Sequence, residues 1–275
     1  MKEPFIQKIV SQPWSISRAR GRALIASMVQ RLRGERPEES DCGDPLPKMR
    51  LEGDVAVIPV CGPLAMNVPE WIKQWGVNLT DINDIAEELA AASADPRVAV
   101  IVLDFDSPGG WSVAGQKLFD TVNRTQGRMG AKPMLAWCAD GADLCSAAYH
   151  GAMPASMILT GPYALAVGCI GTYQTIIDDT EFWKMLGITI DVLRSGELKG
   201  MGVDGYSEQQ IAWLQSVADD YGAQFRADVS AFRTALDPAE MQGQFYDGAT
   251  AARLGFTHGT AADLPSALAK FRRAL

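Results

Sequence analysis

An α/β fold with a largely parallel sheet is predicted by two observations. Short, largely apolar runs, VAVIPV (55–60), VAVIVLDFD (98–106) and PMLAWCAD (133–140), have the length of strands and little polar face. Such runs suit a sheet covered on both sides. Helix-length stretches lie between them, and helices are what connect parallel strands. The chain has 275 residues, 47% of them apolar, enough for one large domain or a domain with appendages.

Each element has its own local reason. Residues 20–35, RGRALIASMVQRLRGE, place apolar residues at helical spacing with basic residues between them. RPEESDCGDPLPK (36–48) is rich in Pro, Gly and acid and reads as a linker, so residues 1–50 form an appendage and 51–275 the main domain. TDINDIAEELAAASAD (80–95) is an amphipathic helix with Thr80 placed to cap it. SVAGQKLFDTVNRTQ (112–126) is the next helix, and SMILT (156–160) the next strand. AVGCIGTYQTIID (166–178) is extended, a short helix runs over Glu181–Leu186, and ITIDVL (188–193) reads as a further strand. A long helix starts at Ser207, which has capping-box spacing to Gln210. Asp237–Pro238 with Glu240 opens another helix, and 248–256 and 263–271 are short helical segments.

Composition excludes several classes. A net charge of −8 with no dense basic cluster argues against nucleic-acid binding. The five cysteines are scattered, with no CxxC pair, which suggests neither a zinc site nor a disulfide framework and fits a reducing compartment. The first residues lack the apolar core of a signal peptide. No apolar run approaches the length of about eighteen residues that a membrane span needs.

Chemistry in such folds gathers beyond the carboxyl ends of the strands. Two motifs lie there. SPGG (107–110) follows the second strand, where Pro108 fixes one dihedral and two glycines permit a tight turn. Its amides, preceding a helix, could stabilise an oxyanion, or the motif is a plain strand-to-helix turn. DGADLCSAAYH (140–150) follows the third strand. Ser146 there is either a helix cap or a nucleophile. Ala147 and Ala148 are small enough to let a substrate carbonyl approach the backbone, and the amides of Gly110 and Ala147 could share one oxyanion.

A serine nucleophile needs a base. Of the two histidines, His150 is one helical turn from Ser146, with no acid in view to orient its ring, and His258 lies in a C-terminal turn. A Ser–His–Asp triad is therefore poorly supported. Lysine can serve when its surroundings favour the neutral amine. Lys199, in the glycine-rich RSGELKGMG (194–202), is such a candidate, although any lysine is far more often a solvated surface charge.

Taken in order, DFDSPGGWSVAG, DGADLCSAAYHGA, GCIGTYQTIIDDTEFWKMLGITIDVLRSGELKGMG and FYDGATAARLGFTHG resemble the signal peptide peptidase A family of Ser–Lys peptidases. The soluble branch that includes phage prohead proteases is most similar. The resemblance implies a Clp/crotonase-like fold of repeated ββα units. It implies Ser146 as nucleophile, Lys199 as general base, and the amides of Gly110 and Ala147 as oxyanion donors, with no metal or organic cofactor. It further implies a polypeptide substrate, assembly into a ring or dome in which serine and lysine can come from adjacent protomers, and a cytoplasmic or procapsid location with capsid or scaffold proteins as partners. Relatives often carry SGGYY where this chain has SAAYH, which leaves the first amide in place. Three other readings compete: an inactive capsid-assembly component with a protease fold, a Clp-like Ser–His protease, and a crotonase-type acyl-CoA enzyme. Cys145 as a thiol nucleophile is a minor variant.

Overall fold

The computed structural model describes residues 14–16, 48–74 and 79–275. The helix expected at 20–35, and the linker after it up to residue 47, lie outside the described residues.

Twelve strands are described. They are β1 (Trp14–Ile16), β2 (Arg50–Glu52), β3 (Val55–Cys61), β4 (Leu64–Ala65), β5 (Thr80–Asp81) and β6 (Val100–Asp106). The chain continues with β7 (Gly109–Trp111), β8 (Met134–Cys138), β9 (Asp143–Cys145), β10 (Met157–Thr160), β11 (Ala166–Gly168) and β12 (Phe245–Tyr246). The helices are α1 (Glu70–Gln74), α2 (Ile82–Ala94), α3 (Ser112–Gln126), α4 (Ala147–Ala152), α5 (Thr180–Met185), α6 (Glu208–Phe232), α7 (Gly248–Leu254) and α8 (Leu264–Arg272).

The main sheet runs β10-β8-β6-β3-β2, parallel throughout except for β2 at its edge. Alternation along β3 and β6 supplies two cores at once. Ala56, Ile58, Ile101 and Leu103 face the larger core beneath α2, α3 and α4, while Val55, Val57, Val100 and Val102 face a smaller one closed by Ala267 and Phe271 of α8. Burial on both faces is why these strands read as continuous apolar runs.

Each long strand is followed by a short one that leaves the main sheet. β6, β7 and α3 form one such unit, and β8, β9 and α4 the next. The short strands make two small sheets, β1-β7-β4-β5 and β12-β11-β9. This repetition of ββα units with a largely parallel main sheet is the α/β, Clp/crotonase-like architecture the sequence led us to expect.

Three local expectations are corrected. The cap of α2 is Asp81, whose carboxylate accepts from the Asn83 amide and also from the Val68 amide at 2.7 Å; Thr80 instead hydroxyl-bonds the Cys61 carbonyl. Pro238–Glu240 forms one 3₁₀ turn rather than a helix. ITIDVL (188–193) forms no strand: it joins no ladder, and Ile188 and Leu193 are exposed. By contrast, the Ser207–Gln210 capping box is formed in both directions.

Candidate active site

The two motifs meet because their backbones are hydrogen-bonded to each other. The Ser107 amide donates to the Asp143 carbonyl at 2.7 Å, and the Cys145 amide to the Ser107 carbonyl at 3.1 Å. Ser107 is fully buried, and its hydroxyl donates to the Gly62 carbonyl at 2.7 Å. The SPGG turn is thereby fixed one residue from Ser146.

Gly110 lies in β7 between two neighbours, opposite Leu64 of β4 and Ser15 of β1. A Cβ at this position would overlap the Leu64 backbone, so only glycine admits β4 so closely. The sequence took the glycines for a turn leading straight into a helix; they form a short strand first.

Ser146 follows β9 with an unusual backbone, φ 55° and ψ −121°. For a residue with a Cβ this is a strained conformation, costing on the order of 1–3 kcal/mol. Three hydrogen bonds impose it on the turn. The Ser146 amide donates to the Gly168 carbonyl at 2.6 Å, its carbonyl accepts from the His150 amide at 2.8 Å, and Cys145 is held to Ser107 as above. The hydroxyl caps nothing, which removes the helix-cap reading of this serine. Ser146, itself buried, is among the residues lining a cleft of about 290 Å³.

The cleft wall comes from three places. Cys169–Tyr173 continue from β11, Ala218, Asp219, Gly222 and Arg226 come from α6, and Met241–Gly243 from the segment before β12. Gly168 has φ 109°, and a Cβ there would press into the Phe256 ring, which accounts for the glycine that opens the GCIGT motif. The contribution of α6 escaped the sequence reading. Gly222, a glycine inside a long helix, is the signal that could have found it.

Ala147 also has a packing reason to be small. Gly115 of α3 packs so closely on Ala147 that a Cβ at 115 would lie 2.9 Å from its Cα, Cβ and carbonyl oxygen. Ala148 is fully buried. The small residues are used in joining α3 to α4. As the first residue of α4, Ala147 has no acceptor for its amide within the helix.

His150 is buried and paired. Its Nε2 lies 2.8 Å from the Asp228 carboxylate, and its ring stacks on Phe225 at 4.4 Å. Burial pushes its pKa down, and the Asp228 carboxylate opposes that shift. An acid orienting this imidazole was not seen in the sequence, because Asp228 lies on α6, far along the chain. No hydrogen bond joins His150 to the Ser146 hydroxyl. Cys145 is buried, and Cys169, on the cleft wall, has its thiol pKa raised by burial, which disfavours a thiolate.

Lys199 is exposed and is not among the residues lining the cleft. Its loop is nonetheless ordered locally. The Lys199 amide donates to the Gly196 carbonyl at 2.9 Å, and the Gln210 side chain holds the Glu197 carbonyl at 2.8 Å. The structure thus brings together Ser146, Ala147 and the SPGG turn within one chain, and leaves Lys199 outside.

A strained serine on a strand-to-helix turn is thus joined by backbone hydrogen bonds to a glycine turn in a ββα fold. Residues 127–262 match the model of Peptidase family S49. That span is just under half of the chain, and its similarity agrees with the resemblance read from the sequence. The head-tail preconnector protein GP5 of Enterobacteria phage P21 is 31% identical over 156 residues, which is 57% of this chain and 29% of that protein. This chain therefore matches under a third of that relative's length. Among solved structures, the 1510-N membrane-bound stomatin-specific protease in complex with a substrate peptide aligns over 78% of both chains, at 14% identity and a TM-score of 0.45. An enoyl-CoA hydratase from Polaromonas sp. JS666 aligns over 82% of this chain and 75% of its own, at 14% identity and a TM-score of 0.41. Among the described residues no helix is long and apolar enough to cross a membrane.

Proposed function

We propose that this chain is a serine endopeptidase whose nucleophile is Ser146 and whose general base is Lys199. The observation that carries the reading is the backbone of Ser146, held at φ 55° in a residue that caps no helix and lines a cleft. Neutral Lys199 takes the Ser146 proton as the oxygen attacks a peptide carbonyl. The amides of Ala147 and Gly110 receive the oxyanion. The lysine ammonium then gives its proton to the departing amine, and water releases the acyl group from Ser146.

The exposed position of Lys199 favours delivery from a neighbouring copy. The arm from Gly171 to Tyr206 exposes Ile177, Phe182, Met185, Leu186, Ile188 and Leu193. So many exposed apolar side chains on one arm suit a protein interface. Its assembly into a ring or dome would cover the arm and carry Lys199 to the next Ser146. The peptidase domain is residues 51–275, with 1–50 an appendage. The substrate is a polypeptide, and the phage relative favours capsid or scaffold protein, processed in the host cytoplasm or procapsid, over leftover signal peptides.

One observation favours a second reading. With no lysine in the cleft lining of the single chain, the protein could instead be an inactive head-assembly component. A serine-directed fluorophosphonate separates the two. The peptidase reading expects labelling of the wild type and none of Ser146→Ala. It further expects mixed Ser146→Ala and Lys199→Ala chains to regain peptide hydrolysis that neither shows alone. An unlabelled wild type that still assembles would support the inactive component.

A further inference from the structure

The outer edge of β7 is occupied by the chain's own N-terminal segment. β1 runs antiparallel to β7, with Trp14 opposite Trp111, Ser15 opposite Gly110 and Ile16 opposite Gly109. On its other side β7 pairs with β4, so without β1 it would be an edge strand of its sheet. An edge of this kind takes an extended peptide by main-chain hydrogen bonds, largely regardless of side chains. Its placement gives the edge significance. β1 is directed from Trp111 toward Gly109, the end of the strand that continues into Pro108 and Ser107. Ser107 in turn is bridged to Leu144 and bonded to Cys145, next to Ser146. A peptide that lay in this position would have its main chain led toward the serine.

We infer that residues 14–16 are a built-in occupant of the acyl-side peptide groove, so that the N-terminal segment competes with substrate for β7. The inference rests on the peptidase reading for its consequence, but not for the occupancy itself. A segment on the same chain is present at high effective concentration, and a substrate strand has to displace it. Activity in the full chain is accordingly restrained until another extended chain, or an assembly partner of the N-terminal segment, draws β1 away.

The test uses the full chain and the double variant Ser15→Pro/Ile16→Pro. Proline lacks the amide hydrogen, and adjacent prolines remove the ladder donor whichever residue supplies it. Hydrogen exchange at the amides of Gly109–Trp111 should quicken about tenfold in the variant, the scale of one or two ladder bonds. A synthetic peptide of residues 10–20, VSQPWSISRAR, should restore protection. Circular dichroism and unchanged exchange in β3 and β6 would show that the variant is folded. Peptide hydrolysis by the variant should exceed that of the wild type several-fold, and the added peptide should inhibit it. Unchanged β7 exchange would overturn the occupancy. Faster exchange with hydrolysis no greater than in an active wild type would overturn the competition. Faster exchange with no hydrolysis by either protein would leave the occupancy standing and remove the peptidase reading instead.

Discussion

The imidazole of His150 binds the Asp228 carboxylate at 2.8 Å and lies flat on Phe225, so the histidine nearest to Ser146 in sequence is committed to joining α4 to α6. The α6 end of this bond belongs to the helix that walls the Ser146 cleft through Gly222 and Arg226. His150→Ala removes one of two partners of a largely buried carboxylate, the other being the Gln224 amide, and should cost about 1–3 kcal/mol of stability. Peptide hydrolysis per folded molecule should stay near the wild-type value. Urea denaturation alongside steady-state kinetics checks both, and a loss of kcat by several orders of magnitude with stability unchanged would restore His150 as the base.

Acid should weaken the fold through His258. Its Nδ1 accepts the Ile158 amide hydrogen at 2.8 Å, and Arg233 lies 2.8 Å from Nε2. Burial, with the Arg233 charge added, pushes its pKa down from 6.5 to about 4. The unfolded chain therefore takes up a proton that the folded chain refuses between these values. The stabilisation is complete above pH 6.5 and is lost as the pH falls toward 4. His150, also shifted down, acts in the same direction. Denaturation curves measured across this range should flatten in His258→Gln; an unchanged slope would contradict the assignment.

Strain at Ser146 can be read from two substitutions that both remove the hydroxyl. Alanine keeps a Cβ at φ 55°, whereas glycine adopts the conformation freely. Ser146→Gly should be more stable than Ser146→Ala by about 1 kcal/mol, the reverse of the usual order in ordinary backbone. Thermal unfolding of the two variants measures it, and alanine being the more stable would show that the turn is relaxed.

Gly115 sets the position of the serine from behind. In Gly115→Ala the new methyl meets Ala147 backbone at 2.9 Å, so α4 must shift. Overpacking of this kind costs about 1–3 kcal/mol. Because Ser146 directly precedes α4, hydrolysis should fall together with stability. At a temperature where the variant is fully folded, kcat should still be reduced.

Those parts of the fold with many neighbours were legible in the sequence. β6, β8 and β10 are buried on both faces and appear as apolar runs, and α3 coincides with the expected 112–126. The Ser207–Gln210 box marked the start of α6 because capping is a local matter. What escaped was either very short or distant. β4, β7 and β9 have two or three residues, too few for a periodic signal. The apolar run 188–193 looks like a buried strand, yet nothing in its composition says whether its cover is its own sheet or another molecule. Asp228 could not be placed beside His150 without the fold. The candidate site divides in the same way: that Ser146 and the SPGG turn lie at strand ends was legible in the sequence, while the place of Lys199 outside the cleft lining is a property of its loop.

The proposed pairing of Ser146 with Lys199 is tested most directly by the hydrolysis of a peptide substrate by purified Lys199→Ala. Loss of the general base should lower kcat by about 10²–10⁴-fold, with the same assembly state and circular dichroism as the wild type. Wild-type kcat in that variant would contradict the account.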